Sequence, residues 1–227
     1  MAAPTYPDVL HTTAGDLHVE EVALEVGGRT WYVRNTGAVI AREQEHEFLR
    51  SEGATKRPYG IMLWPAAIAL AHEVASRSAA LAGKRILELG AGTGLPGMVA
   101  AVAGARVVQT DRQKIVLHVC KQNAERNSVA GIEHRLADWT AWDDAETYDI
   151  ILGSDILYAA GLHASLRHIF ETNLAPGGTV LLADPFREAG MPLLHAMEAA
   201  GWRVVLDKWT VGVTPPPRPV GVYALTR

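Results

Sequence analysis

The chain has little cysteine and no excess of positive charge. Its 227 residues include one cysteine, Cys120, and carry a formal net charge of −4. A lone cysteine excludes an intrachain disulfide, so a reducing compartment, the cytoplasm, is the expected location. The missing basic excess argues against nucleic acid as a partner, because a phosphate backbone selects a basic surface.

Long apolar runs and an N-terminal leader pattern are also missing. The longest apolar stretch, 61–71, contains Pro65 and is well short of the ~20 residues that cross a bilayer. The segment 1–30 lacks the basic start and apolar core of a signal peptide. We therefore expect no membrane partner. With 48% hydrophobic residues, a chain of this length can bury a full core without disulfides or metals.

The most informative segment is an acid followed by alternating glycines. Glu88 lies in a short apolar run and precedes Gly90, Gly92 and Gly94. When a strand turns into a helix through such glycines, the backbone can approach a ligand that a Cβ would keep away. A pyrophosphate would be repelled by Glu88, whereas a cationic amino-acid head group or a ribose hydroxyl would not. The pattern therefore favours a ligand that brings a cationic head group or a ribose hydroxyl to the loop over one that brings a pyrophosphate.

Strands and helices alternate along the chain. Two strands at 19–26 and 30–34 are predicted to form a hairpin around Gly27 and Gly28. Further strands are predicted at 85–89, 106–110, 133–137, 148–153, 179–183, 202–209 and 220–226, and helices at 41–51, 64–81, 95–103, 113–127, 162–174 and 189–200. This alternation predicts an α/β fold with a seven-stranded, mostly parallel sheet, helices on both faces and an antiparallel C-terminal β-hairpin. We expect residues 1–58 to form a small N-terminal extension, whose hairpin packs on a ligand-binding domain at 59–227.

Acidic residues also lie at the ends of later strands. Asp111 follows Gly92 by nineteen residues, since 111 − 92 = 19. An acid at this place can accept both ribose hydroxyls of a nucleoside bound to the glycine loop. The alternative is that Asp111 caps the helix that follows. Asp138 and Trp139 close the next strand and are also candidates for ligand contact. The alternative is that they are a turn aspartate and a tryptophan at the edge of the core.

The glycines allow a second interpretation. The segment from Gly92 to Gly97 satisfies G-x-G-x-x-G, and Asp111 lies at nearly the right distance for the ribose of NAD. Three features oppose this dinucleotide-binding interpretation: Glu88 before the loop, the helix 64–81 ahead of the first core strand, and the closing hairpin. An NAD-dependent oxidoreductase is therefore the less favoured alternative.

Three segments together carry a resemblance to a known family. They are Y-G-I-M-L-W-P-A-A from Tyr59, E-L-G-A-G-T-G-L-P-G from Glu88 and G-S-D-I-L-Y from Gly153. In this order they resemble the class I S-adenosylmethionine-dependent methyltransferases, and among them the methyltransferase-like protein lysine and arginine N-methyltransferases (methyltransferase family 16). The resemblance implies a Rossmann-like fold, S-adenosyl-L-methionine as cofactor with S-adenosyl-L-homocysteine as product, and a protein side-chain nitrogen as acceptor, lysine ahead of arginine. A small-molecule N- or O-methyltransferase is the first alternative, and a non-catalytic cofactor-binding protein is the second.

The resemblance also implies site residues. The cofactor-binding residues would be Trp64, Glu88, Gly90, Ala91, Gly92, Asp111, Asp138, Trp139 and Ser154. Within this set, Asp111 would take the ribose, Asp138 and Trp139 the adenine, and Ser154 the methionine end.

The D-x-x-Y tetrad of the family would supply the catalytic residues. In this chain the tetrad places Asp155 and Tyr158 on the acceptor side. Tyr158 would hydrogen-bond the incoming nitrogen and Asp155 would orient it, with a packing role for Tyr158 as the alternative. Nine histidines are present, but none is spaced as a metal ligand, so we expect no metal.

Two further segments invite a functional interpretation. Glu43, Glu45 and Glu47 are expected on a solvated helix face, and guidance of a basic peptide is the alternative. The proline-rich segment 214–219 is expected to be a stiff hairpin loop rather than a polyproline ligand.

Overall fold

The computed structural model describes residues 6–12, 15–37, 59–212 and 217–227. Three of the predicted features lie outside these ranges: the helix 41–51, the acidic residues Glu43, Glu45 and Glu47, and residues 214–216 of the proline-rich segment. Within them, no helix combines the length and apolar character needed to cross a membrane.

The described residues form eleven strands and five α-helices. The strands are β1 (Val9–Thr12), β2 (Gly15–His18), β3 (Glu20–Val26), β4 (Arg29–Asn35), β5 (Arg85–Leu89), β6 (Arg106–Asp111), β7 (Ile132–Leu136), β8 (Tyr148–Ser154), β9 (Leu174–Asp184), β10 (Arg203–Val211) and β11 (Arg218–Thr226). The helices are α1 (Pro65–Ser76), α2 (Leu95–Val102), α3 (Lys114–Arg126), α4 (His163–Asn173) and α5 (Met191–Ala199).

Seven of the strands form the predicted sheet. Their order is β10-β11-β9-β8-β5-β6-β7. Strands β5 to β9 pair in parallel, whereas β11 pairs antiparallel with both β9 and β10. The mostly parallel sheet with its antiparallel C-terminal hairpin is thus confirmed. The chain runs from β5 outward to β7 and then returns to β8 on the other side. Strand order therefore reverses between β5 and β8, where open α/β sheets form a ligand crevice at their carboxyl ends.

Both faces of the sheet are covered, as predicted. In β5, Ile86 packs into a core shared with α1 and α2, while Leu87 and Leu89 pack into a core shared with α4 and α5. All three side chains are fully buried, as expected for a central parallel strand between two helix layers. Glu88 alternates with Leu87 and Leu89, so its side chain points to the same face as Ile86.

The predicted N-terminal hairpin is formed by β3 and β4. Gly27 and Gly28 connect the strands with φ of +62° and +74°, the backbone of a type I′ turn. Trp31 and Val33 of β4 are buried in the core that contains α1. A second hairpin, β1–β2, was not predicted, because two four-residue strands without an Asn-Gly or Gly-Gly turn give a weak pattern.

Two predicted bounds differ from the structure by five residues, and the other described bounds by two at most. The helix predicted at 64–81 ends at Ser76, and a 3₁₀ turn, Ser78–Ala80, follows it. The strand predicted at 179–183 begins at Leu174, so β9 includes Gly177 and Gly178, although paired glycines are typical of a turn. Gly177 has a φ of +74°, and the pairing of β8 with β9 has a register shift near Tyr148. The glycines therefore form an irregularity within the strand rather than a turn before it.

Candidate functional site

A cavity of about 320 Å³ opens at the carboxyl end of the parallel strands, a size that suits a small-molecule site of ~300–1,000 Å³. Its walls come from the segments that follow β5, β6, β7, β8 and β9. The residues that line it are Gly60, Trp64, Gly90, Asp111, Arg112, Gln113, Ala137, Asp138, Trp139, Ser154, Asp155, Ile156, Tyr158, Leu162 and Arg187.

Eight of the eleven predicted site residues line this cavity. They are Trp64, Gly90, Asp111, Asp138, Trp139, Ser154, Asp155 and Tyr158. The remaining three, Glu88, Ala91 and Gly92, are not part of its lining. The geometry brings the eight together, while their individual roles stay predictions.

The glycine loop lies against an aromatic ring. Gly90 has a φ of +62°, a left-handed backbone that glycine adopts without strain. A Cβ at Gly90 would lie 3.2 Å from Cζ2 of Trp139 and 3.1 Å from Cγ2 of Ile156. Glycine at this position therefore allows the loop and the indole to form one continuous wall of the cavity.

Side chains from α3 and β6 hold the loop from behind. Three donors reach successive loop carbonyls, each at 2.8 Å: Cys120 Sγ to Gly92, Asn123 Nδ2 to Thr93 and Gln109 Nε2 to Gly94. Cys120 is fully buried, and burial raises the pKa of its thiol well above the usual value, so the S–H is available as a donor. Sequence analysis did not find these supports, since each of them joins residues far apart in the chain.

Glu88 supports the loop instead of contacting the cavity. Its side chain is buried, and Oε2 accepts hydrogen bonds from the Gly97 N–H at 3.1 Å and from Gln109 Nε2 at 2.7 Å. Burial raises the pKa of Glu88 to about 8. The predicted contact between Glu88 and a cationic head group has no support in this geometry, because the side chain points to the face that packs on α2.

Asp111 ends β6 at the cavity wall. The N–H of Gln113 donates to Oδ1 at 3.0 Å, and the N–H groups of Gly92 and Arg112 also interact with the carboxylate. Burial raises the pKa of Asp111, and these amides oppose that shift. A carboxylate accepts about four hydrogen bonds, so capacity remains for a ligand hydroxyl. The alternative role as a helix cap is observed only in part. Asp111 accepts the Gln113 N–H, but Gln113 itself is the N-cap residue of α3.

Asp138 and Trp139 form the wall after β7. Oδ1 of Asp138 accepts two hydrogen bonds of 2.8 Å, from the N–H and the hydroxyl of Thr140, and these bonds lower the pKa of the exposed carboxylate. The turn-aspartate alternative is therefore observed. Asp138 also lines the cavity, and its Oδ2 remains available to a ligand.

Asp155 is held in a buried ion pair. It follows β8 with a φ of +55°, and Oδ2 accepts a hydrogen bond of 3.2 Å from the Ala66 N–H in the first turn of α1. Oδ1 lies 2.6 Å from Nη2 of Arg187. Burial raises the pKa of Asp155 to about 6, although the guanidinium acts to lower it.

Arg187 is a site residue that sequence analysis missed. Its Nη1 lies 2.9 Å from Oδ2 of Asp184, and its Cζ lies 5.8 Å from the ring centroid of Trp64. Arg187 thus joins the segment after β9 to the segment after β8. The usable signal was Asp184 at the carboxyl end of a parallel strand, with an arginine three positions later.

Tyr158 lies at the mouth of the cavity. Its side chain is 52% exposed, which does not fit the alternative of a packing residue. Among the residues that the structure describes, no group of three or more histidine, cysteine or carboxylate side chains is arranged to hold a metal ion.

Comparison with known proteins gives a consistent result. A family profile described as lysine methyltransferase matches residues 43–190. The histone-arginine methyltransferase METTL23 of Xenopus laevis is 34% identical over 134 residues, which are 51% of this chain and 57% of that protein. The protein N-lysine methyltransferase METTL21A of Xenopus tropicalis is 32% identical over 130 residues, 56% of this chain and 60% of that protein. The chain thus spans less than two thirds of these relatives.

Solved structures show the same fold. An S-adenosylmethionine-dependent methyltransferase from Thiobacillus denitrificans, in complex with S-adenosyl-L-homocysteine, has a TM-score of 0.51 and 18% identity, over 68% of this chain and 90% of that chain. This likeness and the sheet order show the fold of the class I S-adenosylmethionine-dependent methyltransferases. With a profile match over most of its length, the chain belongs to the lysine methyltransferase family.

Proposed function

We propose that this chain is an S-adenosylmethionine-dependent protein N-methyltransferase of the cytoplasm. Its acceptor is a side-chain nitrogen of a protein, lysine ahead of arginine. The observation that carries the proposal is one cavity with two kinds of wall. Gly90, Asp111 and Trp139 form a wall suited to a nucleoside, and Asp155 and Tyr158 form a wall suited to a nitrogen acceptor. Family membership and the names of both relatives support the same activity.

The residues of the first wall fit the cofactor. Gly90 presents backbone where a side chain would clash, Asp111 keeps hydrogen-bonding capacity for a ribose, and Trp139 offers a flat apolar surface for a base. When bound, the cofactor supplies an activated methyl group. The chain then has to hold it, exclude water and align the acceptor.

The second wall handles the acceptor nitrogen. A lysine amine must first lose a proton, which costs roughly 4.6 kcal/mol from its reference pKa of ~10.4 to pH 7. The exposed Tyr158 hydroxyl is placed to accept a hydrogen bond from an incoming amine and to orient its lone pair. Asp155 is already paired with Arg187, so we assign it a positioning role through α1 and Arg187 rather than direct proton transfer.

Transfer of label from radioactive S-adenosylmethionine to a proteome lysate tests the proposal. Label in a discrete protein band on a gel supports a protein acceptor. Label confined to small molecules would overturn the protein acceptor in favour of a small-molecule methyltransferase, and no transfer at all would overturn the activity.

A matched pair of glycine variants controls this experiment. Gly92→Arg should abolish transfer, because a Cβ at Gly92 would lie 3.0 Å from the carbonyl oxygen of Gly60. Gly131→Arg has a similar backbone, with φ of +79°, but a Cβ there meets nothing within 4 Å. It should retain transfer.

A further inference from the structure

A guanidinium from the chain itself occupies the carboxylates at the acceptor end of the cavity. Nη2 of Arg187 lies 2.6 Å from Oδ1 of Asp155, and Nη1 lies 2.9 Å from Oδ2 of Asp184. The side chains are 15%, 6% and 2% exposed respectively. Arg187 therefore uses both branches of its planar fork on two buried carboxylates.

The backbone keeps both carboxylates in this arrangement. Asp155 also accepts a hydrogen bond from the Ala66 N–H, and Asp184 also accepts one of 2.6 Å from the N–H of Arg187. The Arg187 guanidinium faces the cavity over the ring of Trp64. The two carboxylates at the acceptor end of the cavity are thus already engaged by a guanidinium of the chain itself.

Lysine and arginine acceptors meet such a wall differently. A guanidinium stays charged at any physiological pH, and carboxylates hold it in a defined plane through paired N–H···O bonds. An arginine acceptor would find both carboxylates engaged by the Arg187 guanidinium, so it could not form paired N–H···O bonds with them. An amine does not need a pair of carboxylates to hold it in a plane, so the same arrangement does not exclude it.

We propose that Arg187 is a specificity-determining residue, which takes the place of a guanidinium acceptor and restricts the enzyme to amines. The inference rests on the proposed function and deepens it, since it selects lysine over arginine at the same site. The inference predicts that truncating the Arg187 side chain opens a binding site for a guanidinium group.

An NMR titration with N-ethylguanidinium measures, without any turnover, whether Arg187 blocks the binding of a guanidinium to the two carboxylates. Arg187→Ala should bind this probe at least about tenfold more tightly than the wild type, and adding Asp184→Asn should remove the gain. Arg167→Ala, which removes an arginine from a surface ion pair with Glu171, should behave like the wild type. Equal binding by folded Arg187→Ala and the wild type would overturn the inference. Arg187→Gln serves the same comparison if the alanine variant does not fold.

Product analysis of the wild type gives an independent measurement. After reaction with S-adenosylmethionine and a lysate, the labelled protein is hydrolysed and its methylated amino acids are separated. Methyl-lysine without methyl-arginine supports the inference. Methyl-arginine would overturn it and leave the methyltransferase function intact, whereas absence of any protein label would overturn the function and leave the binding test to decide on Arg187.

Discussion

Glu88 and Asp155 are both buried acids near the cavity, but their surroundings give them different states. The partners of Glu88 are an amide N–H and a glutamine side chain, which carry no charge. Asp155 has a guanidinium at 2.6 Å. Since burial is the largest influence on both pKa values, the presence of a cationic partner decides which of the two is ionised near neutral pH.

Replacing Glu88 with glutamine should flatten the pH dependence of stability. The pKa of Glu88 rises from 4.5 to about 8 on folding. Between these values the unfolded chain has released a proton that the folded chain keeps, so wild-type stability falls with rising pH, by up to ~1.4 kcal/mol per pH unit. Glutamine cannot ionise. In urea unfolding across this pH window, the free energy of unfolding of Glu88→Gln should therefore rise relative to that of the wild type. Glu198→Gln, at an exposed position, is the control. Parallel curves for all three proteins would disprove the assignment.

Tyr158 tests the acceptor wall at the residue scale. Its half-exposed side chain contributes little to the core, so Tyr158→Phe should unfold like the wild type. Loss of the hydroxyl should lower turnover by roughly ten- to a thousandfold, while the cofactor dissociation constant changes by less than a factor of about five. Steady-state kinetics on the labelled acceptor, together with calorimetry, separate the two effects. Unchanged turnover would leave Tyr158 as a surface residue without a catalytic role.

At the scale of elements, α3 connects the N-terminal hairpin to the glycine loop. Asn123 Oδ1 accepts the Arg34 N–H at 2.8 Å, and its Nδ2 donates to the Arg34 carbonyl at 3.2 Å and to the Thr93 carbonyl at 2.8 Å. Asn127 makes the same pair of bonds to Tyr32 of β4. We propose that the β3–β4 hairpin of the predicted extension, 1–58, packs on the predicted domain at 59–227 and fixes the cofactor loop through Asn123.

The two asparagines provide a matched test. Asn123→Ala and Asn127→Ala each leave backbone groups of β4 without partners, so each should lower the free energy of unfolding by ~1–3 kcal/mol. Of the two, Asn123 also holds the glycine loop. Its variant should weaken S-adenosyl-L-homocysteine binding roughly three- to tenfold, measured by calorimetry, while Asn127→Ala keeps wild-type affinity. Equal losses of affinity would mean that the hairpin affects the loop only through general stability.

Across the whole molecule, the cavity lies where the order of the sheet reverses. Its lining comes from the ends of five parallel strands and from the start of α1. A ligand in this place contacts elements from both halves of the sheet. Its binding should therefore stabilise the folded chain as a unit.

Thermal unfolding measures how far a bound ligand stabilises the folded chain. At about a hundredfold excess over its dissociation constant, S-adenosyl-L-homocysteine should add ~2.7 kcal/mol of stability, a rise in Tm of roughly 5–10 °C for a chain of this size. Asp111→Ala should lose most of the rise. NAD at the same concentration should produce none, and a larger shift with NAD would overturn the cofactor assignment.

Much of the fold could be predicted from the sequence. Strand 85–89 has the same bounds in the structure, and the C-terminal hairpin pairs as expected. Hydrophobic period and turn residues act over a few positions, so a single segment reveals them. The resemblance of three segments to a known family supplied the class of the protein and eight of the residues that line the cavity.

Tertiary structure decided what each charged side chain contacts. The direction of Glu88 depends on the helix that packs beneath β5, and the pairing of Asp155 with Arg187 depends on β8 and β9 lying side by side. The support of the glycine loop by Asn123 likewise needs α3 and β4 in contact. Local patterns could not predict these contacts, because each joins residues that only the folded sheet brings within hydrogen-bonding distance.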